Sequence, residues 1–308
     1  MTSTRRAALQ GHAAMFLFAL AISVSFTLGK RAVAYLAPET ITAARFALAC
    51  LVIGLLAIPL ARACHFRAIW RYGVIGGLFA AYFVLMFEAL ALTDAVSVAA
   101  IFTLTPVMST GFGRLLLGQR ASAQMLAALA LGALGAVWVV FRADIPAILA
   151  FDIGLGEMLF FIGCAAHAAY TPLTKRLSRG EPLPVFALGS LLGGLIVTLA
   201  WGGLRSGIEG WEPTAWASLP AIAWAAILYL GLVATALTFL LTRFAALRLP
   251  SGKVMAYGYL VPVFVILWEG ILTGGWVSGA VWLGVGATVL ALILLLAEHD
   301  QDHGQDHG

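Results

Sequence analysis

The chain has 308 residues, of which 62% are hydrophobic and only 10% charged, and its mean hydropathy is +0.99. A soluble domain carries roughly 25% charged residues, so this composition excludes a water-soluble fold. The formal charge of +4 does not mark a nucleic-acid surface, because the basic residues fall in short gaps between apolar runs, where they orient membrane helices.

Each crossing of a bilayer needs roughly 20 mainly apolar residues. Taken in chain order, the apolar runs predict ten helices, near residues 11–29, 39–60, 71–92, 95–117, 123–141, 154–174, 184–204, 219–242, 253–272 and 276–297. The first run follows Arg5-Arg6 as a secretory signal would, but the sixth repeats its pattern, which argues for a retained helix. Cys50 and Cys164 fall inside runs and Cys64 in a basic loop, a scatter that makes neither a disulfide framework nor a metal site. Most connections are short, so consecutive helices should lie antiparallel and adjacent. The gap from Arg205 to Ser218 carries two Trp and reads as an interfacial loop.

Lysine and arginine set the orientation. With a cytoplasmic N-terminus, thirteen fall on the cytoplasmic side (Arg5, Arg6, Arg62, Arg67, Arg71, Arg114, Arg120, Lys175, Arg176, Arg179, Arg243, Arg248 and Lys253). Four fall outside (Lys30, Arg31, Arg142 and Arg205), and Arg45 lies within the second helix. This positive-inside bias is expected to place both termini in the cytoplasm.

The halves resemble each other. Ser25-Phe26-Thr27 with Lys30-Arg31 matches Ala169-Tyr170-Thr171 with Lys175-Arg176, Phe46-Ala47-Leu48 matches Phe186-Ala187-Leu188, and Pro106-Val107 matches Pro262-Val263, with Gly118 opposite Gly274. Five helices per half is an odd number, so the second half enters the membrane upside down. The expected fold is therefore an all-α integral membrane protein of ten transmembrane helices in two inverted five-helix repeats, residues 1–146 and 147–298, followed by a cytoplasmic tail, 299–308. Inverted repeats place a substrate site near the midplane and work by alternating access. Each paired proline removes a backbone hydrogen bond where a helix bends around a cavity, so Pro106 and Pro262 are candidate hinges. Gly73-x-x-x-Gly77, Gly132 with Ala136, Gly189-x-x-x-Gly193 and Gly270-x-x-x-Gly274 are expected to let helix backbones approach.

Several stretches carry a family likeness: Ala44-Arg45-Phe46, Phe87-Glu88-Ala89-Leu90, Ala99-Ala100 through Pro106, Leu115-Leu116-Leu117-Gly118 and Gly132-x-x-Gly135. With the five-plus-five architecture, the chain resembles the drug/metabolite transporter superfamily, EamA-type, over nearly its whole length. Gly118-Gln119 departs from the Gly-Glu that members commonly carry at the end of the fourth helix. Within the superfamily the chain is most similar to the bacterial YddG-type exporters. That resemblance implies export of amino acids, chiefly aromatic ones, with other drugs or metabolites of the superfamily as the alternative.

Candidate substrate-binding residues follow from depth. Phe79, Tyr82, Phe83 and Met86 form one stripe at helical spacing, and Tyr82 lies roughly 16 Å in from Arg71 at 1.5 Å per residue. A phenol at that depth needs a hydrogen-bond partner. His167, roughly 20 Å from the outer end of its helix, lies near Tyr170 and Thr171 and one turn from Cys164, which joins it as a candidate. Two readings stand for His167: a polar contact or proton relay for substrate, or a neutral ring bonded to a backbone carbonyl. Phe102 and Tyr257, near the paired prolines, complete the set.

Glu88, Glu157 and Glu269 lie near the outer ends of their helices, and no carboxylate is placed at the midplane. The buried acid of an ion-coupled pump is missing, which puts facilitated export on at least an equal footing with coupled antiport. Arg45 lies one or two turns below the outer surface, where it either pairs with one of these glutamates as an outer gate or snorkels to the interface. The tail repeats Gln-Asp-His-Gly, and His299, His303 and His307 either lie in a disordered, solvated segment or bind metal weakly. No cofactor is expected. A membrane-embedded enzyme would need a nucleophile and base, or metal ligands, clustered at depth. A channel would need a ring of charges or carbonyls.

Overall fold

The computed structural model describes residues 3–118, 121–150, 153–209, 216–246, 248–249, 254 and 256–305. The side chains of 3–5, 171, 209, 243, 246 and 297–305 lie outside that description, as do Gln119, Arg120 and Lys253 entirely. The described elements are helical throughout: α1 (Ser3–Ala32), α2 (Pro38–Ala57), α3 (Trp70–Leu92), α4 (Ala95–Phe102), α5 (Thr105–Leu117), α6 (Ala123–Val140), α7 (Ile145–Ala150), α8 (Leu155–Leu177), α9 (Leu183–Glu209), α10 (Ala221–Leu228), a π-helical stretch Tyr229–Leu237, α11 (Thr238–Ala246), a 3-10 turn Tyr257–Leu260, α12 (Val261–Thr273) and α13 (Val281–Gln305). A helix therefore occupies each of the ten predicted runs. Seven of the described helices are long and apolar enough to cross a membrane, while Tyr257–Thr273 and Val281–Leu296 are shorter apolar helices.

Three runs read as single helices are interrupted. The fourth breaks between Phe102 and Thr105, where Thr103 and Leu104 donate to carbonyls only three residues back, at 3.0 and 2.9 Å. The cause is Pro106, which has no N–H for the Phe102 carbonyl and whose ring would clash with it. Pro262 does the same in the ninth run, where the 3-10 turn precedes α12. The two prolyl helices share one design. Each has Pro in its first turn and ends on a left-handed glycine, Gly118 at φ 67° and Gly274 at φ 70°, a conformation glycine adopts without a Cβ penalty. The eighth run contains the π stretch, held by a side chain: the Thr235 hydroxyl donates to the Leu230 carbonyl five residues back, at 2.8 Å. The short helix α7 in the connection between halves was not expected, and the tail expected to be disordered instead continues α13 as helix to Gln305.

Helices α3 and α8 pack together, as do α3 and α9, α2 and α9, and α6 and α13; α1 lies against α10, α11 and α12. The close approach of α3 to α9 is made by Gly76, not by Gly73 and Gly77. A methyl at Gly76 would collide with the backbone at Ser190 and Gly193–Gly194, whereas Gly73 has open space and Gly77 meets only Val197. Gly76 lies one residue off the expected motif, on the face turned toward α9. Likewise Gly135 abuts the Gly284 carbonyl of α13, while Gly132, the residue expected there, faces the Tyr259 ring.

Candidate substrate site

Residues of α1, α2, α3, α4, α5, α8, α9, α11 and the π stretch enclose a cavity of about 300 Å³. The α3 stripe supplies Phe79, Tyr82 and Phe83 to its wall; α4 adds Phe102, and α8 adds His167 and Tyr170. These rings pack on one another. Tyr82 and His167 have centroids 4.5 Å apart, Phe79 stacks on Tyr170 at 5.1 Å, and His167 lies nearly parallel to Tyr170, at 7° and 6.0 Å. Separations of 4.5–7 Å are those at which aromatic rings attract, so the wall is a preformed aromatic surface. The lining runs toward Met15, Thr242 and Val254, on the side of the bundle that holds the start of α1. Beyond the cavity on the opposite side, Phe26, Phe87, Leu90 and Phe160 are essentially fully buried and close it.

Polar groups are few and mostly occupied. The hydroxyls of Ser190, Thr235, Thr238 and Thr242 donate to carbonyls of their own helices. His167 differs: its Nδ1 is buried with no hydrogen-bond partner in the protein, so the bond to a backbone carbonyl is absent at that nitrogen. No Asp, Glu, Lys or Arg is among the described residues lining the cavity.

Five of the seven predicted binding residues, Phe79, Tyr82, Phe83, Phe102 and His167, meet at this wall, with Pro106 beside them. Cys164 does not line it: the thiol is fully buried against Thr105. Tyr257 does not either, because its hydroxyl is 2.9 Å from His12 Nδ1, joining the 3-10 turn to α1. Pro262 is buried at the start of α12.

The pairing of Arg45 with a glutamate is not what the structure has. Its Nε donates to Thr235 Oγ1 at 2.6 Å, its Nη2 donates to the Ala234 carbonyl at 2.9 Å, and its guanidinium lies 3.6 Å above the Phe83 ring centre. A fully buried guanidinium cannot snorkel either. The glutamates have other neighbours. Glu88 accepts from Arg205, which also lies 3.5 Å from Glu39, and Glu157 accepts from the Thr93 hydroxyl. Glu269 lines a second, polar cavity with Lys30, Asp94 and Arg142. Together these contacts tie α2 and α3 to α8 and α9 on the closed side.

The sequence reading used Arg205 only for orientation and passed over Glu39, Asp94 and Glu181. The available signal was depth: Lys30, Arg142 and Arg205 each have an acid at the same end of a helix. Asp94 accepts from the Ser97 N–H at 2.8 Å, capping α4, and from Arg142 at 2.7 Å. Burial pushes its carboxyl up, but these bonds together prevail and hold it below the usual value. At the other end, Arg71 Nη2 meets Glu181 Oε1 at 2.6 Å and Nη1 donates to the Leu177 carbonyl at 2.5 Å, both side chains being 2% exposed. Burial raises the Glu181 carboxyl as well, and the Arg179 N–H and Arg71 outweigh it.

The sequence profile of the EamA-like transporter family matches residues 9–141 and again 154–297. The chain belongs to the EamA-like transporter family. It is thus a membrane transporter of the drug/metabolite superfamily. This EamA-like transporter is 23% identical over 256 residues to the uncharacterized transporter YyaM of Bacillus subtilis (strain 168), across 81% of this chain and 82% of that one. Its fold is similar to that of a protein of known crystal structure, with a TM-score of 0.64 and 22% identity over 96% of this chain and 98% of the other.

Proposed function

We propose that this protein exports amino acids, chiefly aromatic ones, across a bacterial inner membrane by alternating access through the aromatic cavity. One observation carries the reading: Phe79, Tyr82, Phe102, His167 and Tyr170 form a continuous wall of stacked and tilted rings around about 300 Å³. That volume is at the lower end for a small-molecule site. A planar side chain gains ring contacts there, while the unpartnered nitrogen of His167 offers one polar contact to the zwitterion, directly or through water. The resemblance to YddG-type exporters supports the same substrate class.

The machine is two five-helix repeats crossing the membrane in opposite senses, with both termini cytoplasmic. Three observations support this. The family profile matches the chain twice in succession. The two prolyl helices correspond position for position at an offset of 156 residues, from 105 to 261 and from 118 to 274. Packing partners also exchange between halves: α3 on α8 is mirrored by the α10–α11 helix on α1, α3 on α9 by that helix on α2, and α5 on α8 by α12 on α1. With the start of α1 in the cytoplasm, the cavity faces inward and the Arg205 contacts close the outside. The lining has no carboxylate among the described residues, which favours facilitated export.

Purified Tyr82→Ala and His167→Ala in liposomes test the reading. Losing a ring contact is worth roughly 0.5–1.5 kcal/mol beyond burial, so each should weaken phenylalanine or tryptophan transport several-fold at normal yield and melting temperature. Unchanged affinity and rate in both would place the substrate elsewhere.

A further inference from the structure

Arg45 is the one arginine of the described residues that is 0% exposed, and among those residues no carboxylate pairs with it. A guanidinium seven residues into α2, roughly 10 Å along the helix at 1.5 Å per residue, is costly in a membrane unless compensated. Its compensation is partial and neutral: a threonine hydroxyl, one helix carbonyl and the face of Phe83. The remaining nitrogen, Nη1, is buried with no partner. Each of the three groups holding Arg45, namely Phe83, Ala234 and Thr235, is also a wall residue of the aromatic cavity. The cation therefore stands directly behind the wall, one side chain deep, with one edge of its fork open.

We infer that Arg45 is the substrate-selecting cation of the transporter, and that it takes the carboxylate of the transported molecule on its Nη1–Nη2 edge. A guanidinium presents parallel N–H groups that match the two oxygens of a carboxylate, and the charged pair is about twice as strong as a neutral hydrogen bond. Its Nε and second Nη2 contact keep Thr235 and Ala234 in place, so the π stretch supports the site without being consumed by it. Docking needs only a shift of the Phe83 ring or the Thr235 side chain at the wall. The inference rests on the cavity being the transport site, and it adds that the substrate must carry a carboxylate, whatever its side chain.

The test is competition for transport by full-length protein in liposomes, with phenylalanine, phenethylamine, 3-phenylpropionate and leucine as probes. Wild-type protein should bind phenylalanine on the order of tenfold or more tightly than phenethylamine, the loss expected for one charged hydrogen bond. Phenylpropionate should compete and phenethylamine should not. Arg45→Gln should collapse the phenylalanine-to-phenethylamine ratio toward one. Thr235→Val frees a second nitrogen of Arg45 and should raise that ratio, which decides the matter if Arg45→Gln does not fold. Equal wild-type affinity for phenylalanine and phenethylamine overturns the inference, as does an unchanged ratio in both variants. A carboxylate preference shared equally by leucine and phenylalanine keeps Arg45 and sinks the aromatic reading. An aromatic preference without a carboxylate preference does the reverse.

Discussion

Arg71 and Glu181 show how a buried ion pair at the membrane edge ties the halves together and makes that tie depend on pH. The Glu181 carboxyl is held below its ordinary value of 4.5. Its contribution to stability is therefore full above 4.5 and is lost as pH falls from there through the folded-state value, when the unfolded chain takes up the proton first. The melting temperature of the wild type should fall relative to Glu181→Gln as pH is lowered through and below 4.5. At neutral pH the variant should be less stable by about 3 kcal/mol, because Arg71 is left buried without its counter-charge. A melting difference that stays flat with pH would remove Glu181 from this role. That His167, Tyr82 and Phe79 lie far from their helix ends was legible from the sequence, and the structure brings them to one cavity wall. Cys164 was expected beside His167 and Tyr257 beside Pro262, but the side a helix turns to the cavity is settled by its neighbours, and these two side chains are turned away.

At the scale of elements, proline and glycine do most of the shaping. Pro106 and Pro262 divide apolar runs that hydropathy alone reads as continuous, and the breaks bring Phe102, Thr105 and Gly258 to the cavity. The π stretch had no signal in hydropathy or periodicity, because it comes from the Thr235-to-Leu230 bond and the hold of Arg45 on Thr235. Close helix packing was anticipated, and Gly193 of the expected pairs does meet the Tyr72 backbone of α3, but Gly73 and Gly77 have room and the tighter contact at Gly76 was not foreseen. Gly76→Ala puts a methyl into the α9 backbone, an overpacking that costs about 1–3 kcal/mol, whereas Gly73→Ala has open space. Thermal melting in detergent should show a clear loss for Gly76→Ala and none for Gly73→Ala. Equal loss in the two would mean that α3 and α9 do not meet at Gly76.

For the whole molecule, the closed side is the testable feature. Arg205 bridges α9 to Glu88 of α3 and Glu39 of α2, and Ala99 is fully buried between this layer and the cavity. In a background with Cys50, Cys64 and Cys164 replaced, Ala99→Cys should resist a membrane-impermeant maleimide. Adding Arg205→Ala should expose it to reagent applied outside the cell, as the equilibrium moves toward the outward-open state. Labelling unchanged by Arg205→Ala would show that these ion pairs do not hold the closed side. Labelling from the cytoplasmic side alone would reverse the assigned orientation.

The amino-acid sequence by itself determined that this is a membrane protein, where its ten helical runs lie and which residues fall midway along them. Those properties follow from local apolarity, from the spacing of charges and from a rise of 1.5 Å per residue. Tertiary structure alone decided which mid-depth residues share a cavity, that Arg45 faces Thr235 and Ala234 and no glutamate, and that Arg205 and Glu181 link the halves. The three arginine contacts join residues more than a hundred positions apart. The rotation of one helix about its axis against another sets such a pairing, and hydropathy is nearly blind to it, since within lipid the faces of these helices are almost equally apolar.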